Sequence, residues 1–231
     1  MDWSHFLTLF VSTEVPRLPD LDLLRWAHRL SWGVVLVGLG LMLMRGRCPR
    51  WMHWGWVGLM LVGVCLPGLW TPSFWLGLAF QSPSLMSTAL LLGVSVHLLW
   101  PGACLAPTPA QVQTLWRWSL GAVALGWVLL LDTFALWPFS LYAFGFSPAA
   151  VLAVALCAIA PWVVGSAQST GRAPLMVLGG VLLVYVGLRL PSGNIWDAVL
   201  DPWLWGALQV LWLARGLRRF NGWRRVDVRA Q

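Results

Sequence analysis

The sequence predicts an all-α fold, a polytopic integral membrane bundle of about seven transmembrane helices with the N-terminus outside and the C-terminus inside. Three observations lead there. Of the 231 residues, 59% are hydrophobic and only 10% are charged, against about 25% charged in a soluble domain. Long apolar runs are punctuated by Pro, Gly and Arg, and the short alternating segments of a membrane β-barrel are missing. The arginines also fall unevenly between the segments that join the runs.

The first 25 residues form an outer interfacial segment. Trp3 to Val15 is mostly apolar but too short to cross a bilayer. Acidic residues near the N-terminus, and no basic region before the first apolar run, argue against a cleaved signal peptide. Residues 26–220 form the bundle. Its spans are read as Trp26 to Met44, Trp51 to Trp70, Leu85 to Trp100, Trp116 to Trp137, Pro148 to Val164, Pro174 to Leu190, and Pro202 to about Phe220. The third is the shortest and weakest. Between the second and third, Thr71 to Ser84 is apolar yet bounded by prolines, so it reads as a short interfacial or re-entrant helix. The Pro-rich loop from Pro101 to Thr114 lies inside. Residues 221–231 form a basic cytoplasmic tail.

Orientation follows from the bias of basic residues toward the cytoplasm. With the N-terminus outside, 11 of the 15 arginines fall inside, and only Arg17, Arg25, Arg29 and Arg189 fall outside. All 15 basic residues are Arg, which excludes lysine Schiff-base chemistry. Arg215, Arg218, Arg219, Arg224 and Arg225 are placed to bind the anionic inner leaflet. This topology accounts for the net charge of +7 without nucleic acid as a partner. The expected location is the bacterial inner membrane.

Cys65 and Cys157 lie within apolar runs, and no CxxC pair occurs, so the four cysteines read as small buried hydrophobes rather than a disulfide framework. In the fifth span Ala149, Ala153 and Cys157 recur at i, i+4 and i+8, which predicts close helix packing at the bundle centre. Gly33, Gly38 and Gly40, and Gly121 and Gly126, predict further close contacts. Arg25-Trp26-Ala27-His28 and Arg50-Trp51-Met52-His53 open the first two spans on opposite faces and read as interfacial anchors.

Carboxylates in apolar surroundings cap helices or perform chemistry. In LPSGNIWDAVLDPWLW, Asn194 is suited to cap a short helix from Ile195 to Leu200 and puts Asp197 at its third position. Asp201 then caps a new helix that starts at Pro202. Asp132, near the outer end of the fourth span, is the strongest single candidate for function, because an ionisable group inside a span is costly. Arg189 is a candidate partner for Asp132, Asp197 or Asp201. Of the 19 tryptophans, Trp70, Trp75, Trp137, Trp196, Trp203 and Trp205 fall near the outer face. With Tyr142 and Phe144 they form either an aromatic belt or a ligand groove. His53 and His97 approach equal depth near the inner face and are candidate haem or metal ligands.

No phosphate loop, zinc motif or nucleophile elbow is present. The expected function is a non-catalytic membrane subunit that anchors or scaffolds an envelope complex, with the lipid bilayer and other membrane subunits as partners and no resident cofactor. Two alternatives stand beside it. One is a small proton-linked transporter or channel using Asp132, with Asp197, Asp201 and Arg189 at its mouth. The other is a haem protein using His53 and His97.

Overall fold

The computed structural model describes residues 18–101, 109–136, 138, 140–164 and 173–227, together with 8, 11 and 12. Side chains are described over these ranges except at 110–111, 160–164, 173–174 and 219–227. The segment Trp3 to Val15 falls almost wholly outside the described residues; Trp137 and residues 102–108 of the loop from Pro101 to Thr114 also lie outside them.

Among the described residues the fold is all-helical, without strands. The elements are α1 (Leu21–Met44), α2 (Arg50–Cys65), a 3-10 turn (Gly68–Trp70), α3 (Pro72–Phe80), α4 (Leu85–Leu99), α5 (Pro109–Thr133), α6 (Leu141–Phe144), α7 (Pro148–Val164), α8 (Ala173–Leu188), α9 (Ile195–Val199) and α10 (Pro202–Asp227). Among the described residues two helices are long and apolar enough to cross a membrane, Leu21–Met44 and, within α5, Val112–Thr133.

Local chemistry sets the boundaries. Helix α1 starts before Trp26 because the Asp20 carboxylate accepts from the amides of Asp22 and Leu23, at 3.0 and 3.1 Å. Helix α2 stops at Cys65 rather than Trp70. Pro67 has no amide to continue the helix and disfavours helical backbone at Leu66. The apolar stretch after it becomes α3, with Pro72 in its first turn. Helix α10 continues past Phe220 to Asp227, so part of the expected tail is helix.

The long helices alternate in direction. One end of the bundle gathers the starts of α1, α4, α7 and α10, the ends of α2, α5 and α8, and the short helices α3, α6 and α9. This end is called the upper end below. At the lower end Arg50 donates to the carbonyl of Leu99, at 2.9 Å. There Trp54 packs edge-on against Trp100, and Trp116 against Trp212.

Helix α4, the weakest span by sequence, occupies the interior. It packs most extensively on α1 and also meets α8 and α9. Its Ser87, Ser95 and Leu99 are buried, so protein rather than solvent or lipid surrounds its polar residues. Helix α7 does not take the central position that its small residues predicted. It packs chiefly on α8 and leaves Leu152, Leu156 and Ile159 exposed. Small side chains permit close approach, but they do not supply the contact area that fixes a helix at a centre.

Glycines in α1 do make the expected contacts. Gly38 faces Leu91 of α4, and Gly40 lies under the indole of Trp56 on α2. The Trp56 Nε1–H then donates to the carbonyl of Leu36, at 3.1 Å. A Cβ at Gly40 would overlap the indole. Gly121, by contrast, faces open space. Gly40→Ala is expected to destabilise the protein by about 1–3 kcal/mol, read as a lowered thermal midpoint in detergent. Gly93→Ala, where no atom lies within 4 Å, is expected to be neutral or stabilising.

Candidate functional site

The upper end carries a dense polar network built on the segment from Leu190 to Asp201. Asn194 is fully buried. Its side-chain oxygen accepts from the Trp196 amide at 3.0 Å, and its Nδ2 donates to the Tyr142 carbonyl at 2.9 Å. Trp196 Nε1 donates to the Leu141 carbonyl, at 2.9 Å, and the Ile195 amide donates to Gly145 O, at 3.0 Å. These bonds dock α9 on α6. Gly145 is needed there, because any Cβ would meet the Asn194 side chain and the Trp196 ring. Beneath lies an apolar cluster of Ala150, Tyr185, Ile195, Trp196 and Ala198.

Each upper carboxylate has a structural partner. Asp201 is 7% exposed. Its Oδ1 accepts from Leu204 N in the first turn of α10, and its Oδ2 from Ser84 N at the start of α4, both at 2.7 Å. Ser84 in turn accepts from Ser87 N through its hydroxyl, at 3.0 Å. Asp132 lies at the end of α5, and its carboxylate accepts from Tyr142 N, at 2.7 Å. It is only partly buried. Asp197 accepts from the Tyr142 hydroxyl at 2.8 Å and from the Ser192 hydroxyl. Burial, then the bond to Asp197, pushes the Tyr142 phenol up from its ordinary value, so it remains protonated and acts as the donor.

Arg189 does not pair with any of the three carboxylates. Among the described residues the only ion pair joins Arg25 to Asp22, at 3.0 Å. Arg189 instead stacks over the Tyr185 ring, 5.3 Å from its centroid, and donates to the Tyr185 hydroxyl at 3.3 Å. That hydroxyl donates to Gly193 O, at 2.5 Å. Arg189 itself has φ 56° and ends α8. The turn after it folds the side chain back along its own helix instead of across to α9.

Beside this network opens a cleft of about 910 Å³ between α1, α3 and the segment from Pro191 to Trp203. Arg25, His28 and Arg29 line one wall. Phe74, Leu78, Phe80 and Trp203 provide apolar surface, and Thr71, Ser73, Gln81, Ser82, Ser192, Asp197 and Asp201 complete the polar lining. Trp203 packs edge-on against Phe80, with ring centroids 4.7 Å apart. The tryptophans grouped by sequence therefore separate. Trp203 lines the cleft, Trp196 is buried, Trp70 is exposed, and Trp75 donates to its neighbour Leu69 O. Trp205 packs against Trp127 and Gly126.

His28, expected as a simple interfacial anchor, is a cleft residue. Its Nδ1 lies 2.5 Å from Ser82 Oγ and its Nε2 lies 3.0 Å from Ser73 O. Neither Ser82 nor Ser192 carried a sequence signal. The Arg-Trp-Ala-His motif is the one sequence feature that points to the cleft, and its echo at Arg50 gives it the look of an interfacial anchor.

At the lower end, His53 Nε2 and His97 Nδ1 are buried without a hydrogen-bond partner. No group of three or more metal-ligating side chains occurs among the described residues. Arg215 stacks on Trp116, 4.4 Å from the ring centroid. Arg218 is exposed, while the side chains of Arg219, Arg224 and Arg225 lie outside the described residues. No family model, curated protein or solved structure matches the chain.

Asp201→Ala strands two buried amides and is expected to cost about 2–4 kcal/mol. Asp201→Asn keeps one acceptor oxygen and is expected to cost less; chemical unfolding in detergent measures both. The stability contributed by the protonated Tyr142 phenol is complete below the ordinary value of 10.0 and is lost as pH rises above it. The thermal midpoint of the wild type should therefore fall above pH 10 more steeply than that of Tyr142→Phe.

Proposed function

We propose that the chain is a seven-helix integral protein of the bacterial inner membrane, N-terminus out and C-terminus in, that holds an anionic amphiphile in its outer cleft. Alternation of the long helices, the arginine bias and the exposed apolar helix surfaces support the membrane reading. The shorter helices reach the needed span with Trp and Arg at their ends, which sit in the interface.

One observation carries the ligand reading. The cleft is lined by the cationic side chains of Arg25, which also pairs with Asp22, and Arg29, which also lies over the Trp26 ring, together with the aromatic Phe74, Phe80 and Trp203 and the carboxylates of Asp197 and Asp201. A phosphate or carboxylate head group is complementary to the guanidinium groups, and an acyl chain to the rings. In the proposed topology the cleft faces the outer leaflet. A transport path through Asp132 has less support, because that carboxylate is committed to the start of α6. Asp201 is likewise committed to two amides.

A scaffold role in an envelope complex is the second reading. It draws on α7, whose small residues Ala149, Ala153 and Cys157 remain at least partly exposed. A partner's helix would pack closely there.

Lipid analysis of the protein purified in mild detergent tests the first reading. The wild type should retain anionic lipid. The double variant Arg25→Ala/Arg29→Ala should bind it roughly 30-fold more weakly, from about 1 kcal/mol for each charge. Equal retention by both proteins contradicts the reading. Stoichiometric partner proteins that are lost on Ala153→Leu would favour the scaffold.

A further inference from the structure

We infer that Ser82 and His28 form a nucleophile–base pair in the outer cleft, equipped for acyl transfer from a carboxylic ester. The Ser73 carbonyl only accepts, so the His28 nitrogen facing it, Nε2 at 3.0 Å, carries a proton. In the neutral ring Nδ1 then presents its lone pair to Ser82 Oγ, 2.5 Å away. This is the tautomer a general base needs, with a third group fixing the ring.

Both partners are held in place. His28 comes from α1 and packs over Gly77 of α3, where a Cβ would overlap the imidazole. Ser82 follows Gln81, whose φ of 61° and ψ of −154° belong to backbone that only glycine adopts freely. The Gln81 amide donates to Gly77 O at 3.0 Å, and its carbonyl accepts from Trp32 Nε1 at 2.9 Å. Pro83 follows Ser82 and restricts its backbone further. Strain just before a cleft-lining serine that is bonded to a histidine is what sets this site apart from the other hydroxyls of the upper end. Ser192 also lines the cleft, but it bonds to Asp197 rather than to an imidazole.

The step balances without another reactant than water. Ser82 Oγ attacks the ester carbonyl carbon while its proton passes to His28 Nδ1. The negative charge on the carbonyl oxygen develops in a cleft whose wall carries Arg25 and Arg29. Collapse breaks the carbon–oxygen bond to the alcohol, and Nδ1 returns its proton to that leaving oxygen. Water then attacks the acyl-serine by the same proton path, releasing the carboxylic acid and restoring Ser82. The choice of an ester-bearing amphiphile as substrate rests on the ligand reading above; the reactivity of the pair does not.

The test is labelling of the full-length protein in mild detergent by a small fluorophosphonate, with the modified residue mapped by mass spectrometry. The expected result is covalent modification at Ser82 and not at Ser192. Ser82→Ala should abolish it while leaving the thermal midpoint unchanged, and His28→Gln should slow it by about 100-fold. A folded wild type unlabelled at Ser82, labelled equally at Ser192, or labelled as fast in His28→Gln overturns the inference. If His28→Gln does not fold, the Ser82-to-Ser192 contrast in the wild type decides alone. Labelling that persists in Arg25→Ala/Arg29→Ala, with anionic lipid retention unchanged, would sink the ligand reading and leave the pair intact.

Discussion

The upper end of the molecule depends on one buried carboxylate. Asp201 joins the start of α10 to the start of α4 through two amides 2.7 Å from its oxygens. A helix start exposes unsatisfied amides and a partial positive charge. A single carboxylate placed between two such starts answers both, and its burial costs little because the amides surround it. The link fixes where the segment from Pro191 to Trp203 meets the loop from Gln81 to Ser84. Residues of both segments line the cleft. From the same segment, Asn194 and Trp196 reach across to α6, and Asp197 reaches Tyr142.

The two ends of the bundle differ in kind. At the upper end Asp20, Ser84, Ser147 and Asp201 each accept from amides in the first turn of the helix they precede. At the lower end α2 follows Pro49, which offers no side-chain cap. Arginine and tryptophan dominate there, through Arg50, Trp54, Trp100, Trp116, Trp212 and Arg215. This division is the one the proposed topology calls for, with the built polar face outside and the arginine-bearing face against the inner leaflet. The hydrogen bonds among these polar side chains rigidify the upper end. The cleft is then a preformed feature of a rigid scaffold, with its strained residue, Gln81, in the loop at its edge.

Local features were legible in the sequence. The spacing of Asn194, Asp197, Asp201 and Pro202 encodes a short helix and a restart, because capping is settled within four residues. The helical character of the chain, and most helix boundaries set by proline, are local in the same sense. Contacts between distant segments were not legible. Nothing near Asp201 announces Ser84, 117 residues away. Nothing near His28 announces Ser82, 54 residues away. Charge alone suggests a carboxylate partner for Arg189, yet the turn that ends α8 lays it on Tyr185 four residues back. The small-residue stripe of α7 likewise signals permission for close packing rather than position in the bundle. Charge and composition constrain which groups need partners, and the chain path decides which partners they meet.

The proposed topology puts the polar cleft end of the bundle outside and the arginine-rich end inside. Labelling single cysteines in intact cells with a membrane-impermeant maleimide tests it most directly, in a background lacking the native cysteines. Leu136, at the upper end, and Arg47, in the turn between α1 and α2, are both exposed positions. Leu136→Cys is expected to react in intact cells, and Arg47→Cys only after the membrane is opened. Reaction of both from one side, or the reverse order, would contradict the topology.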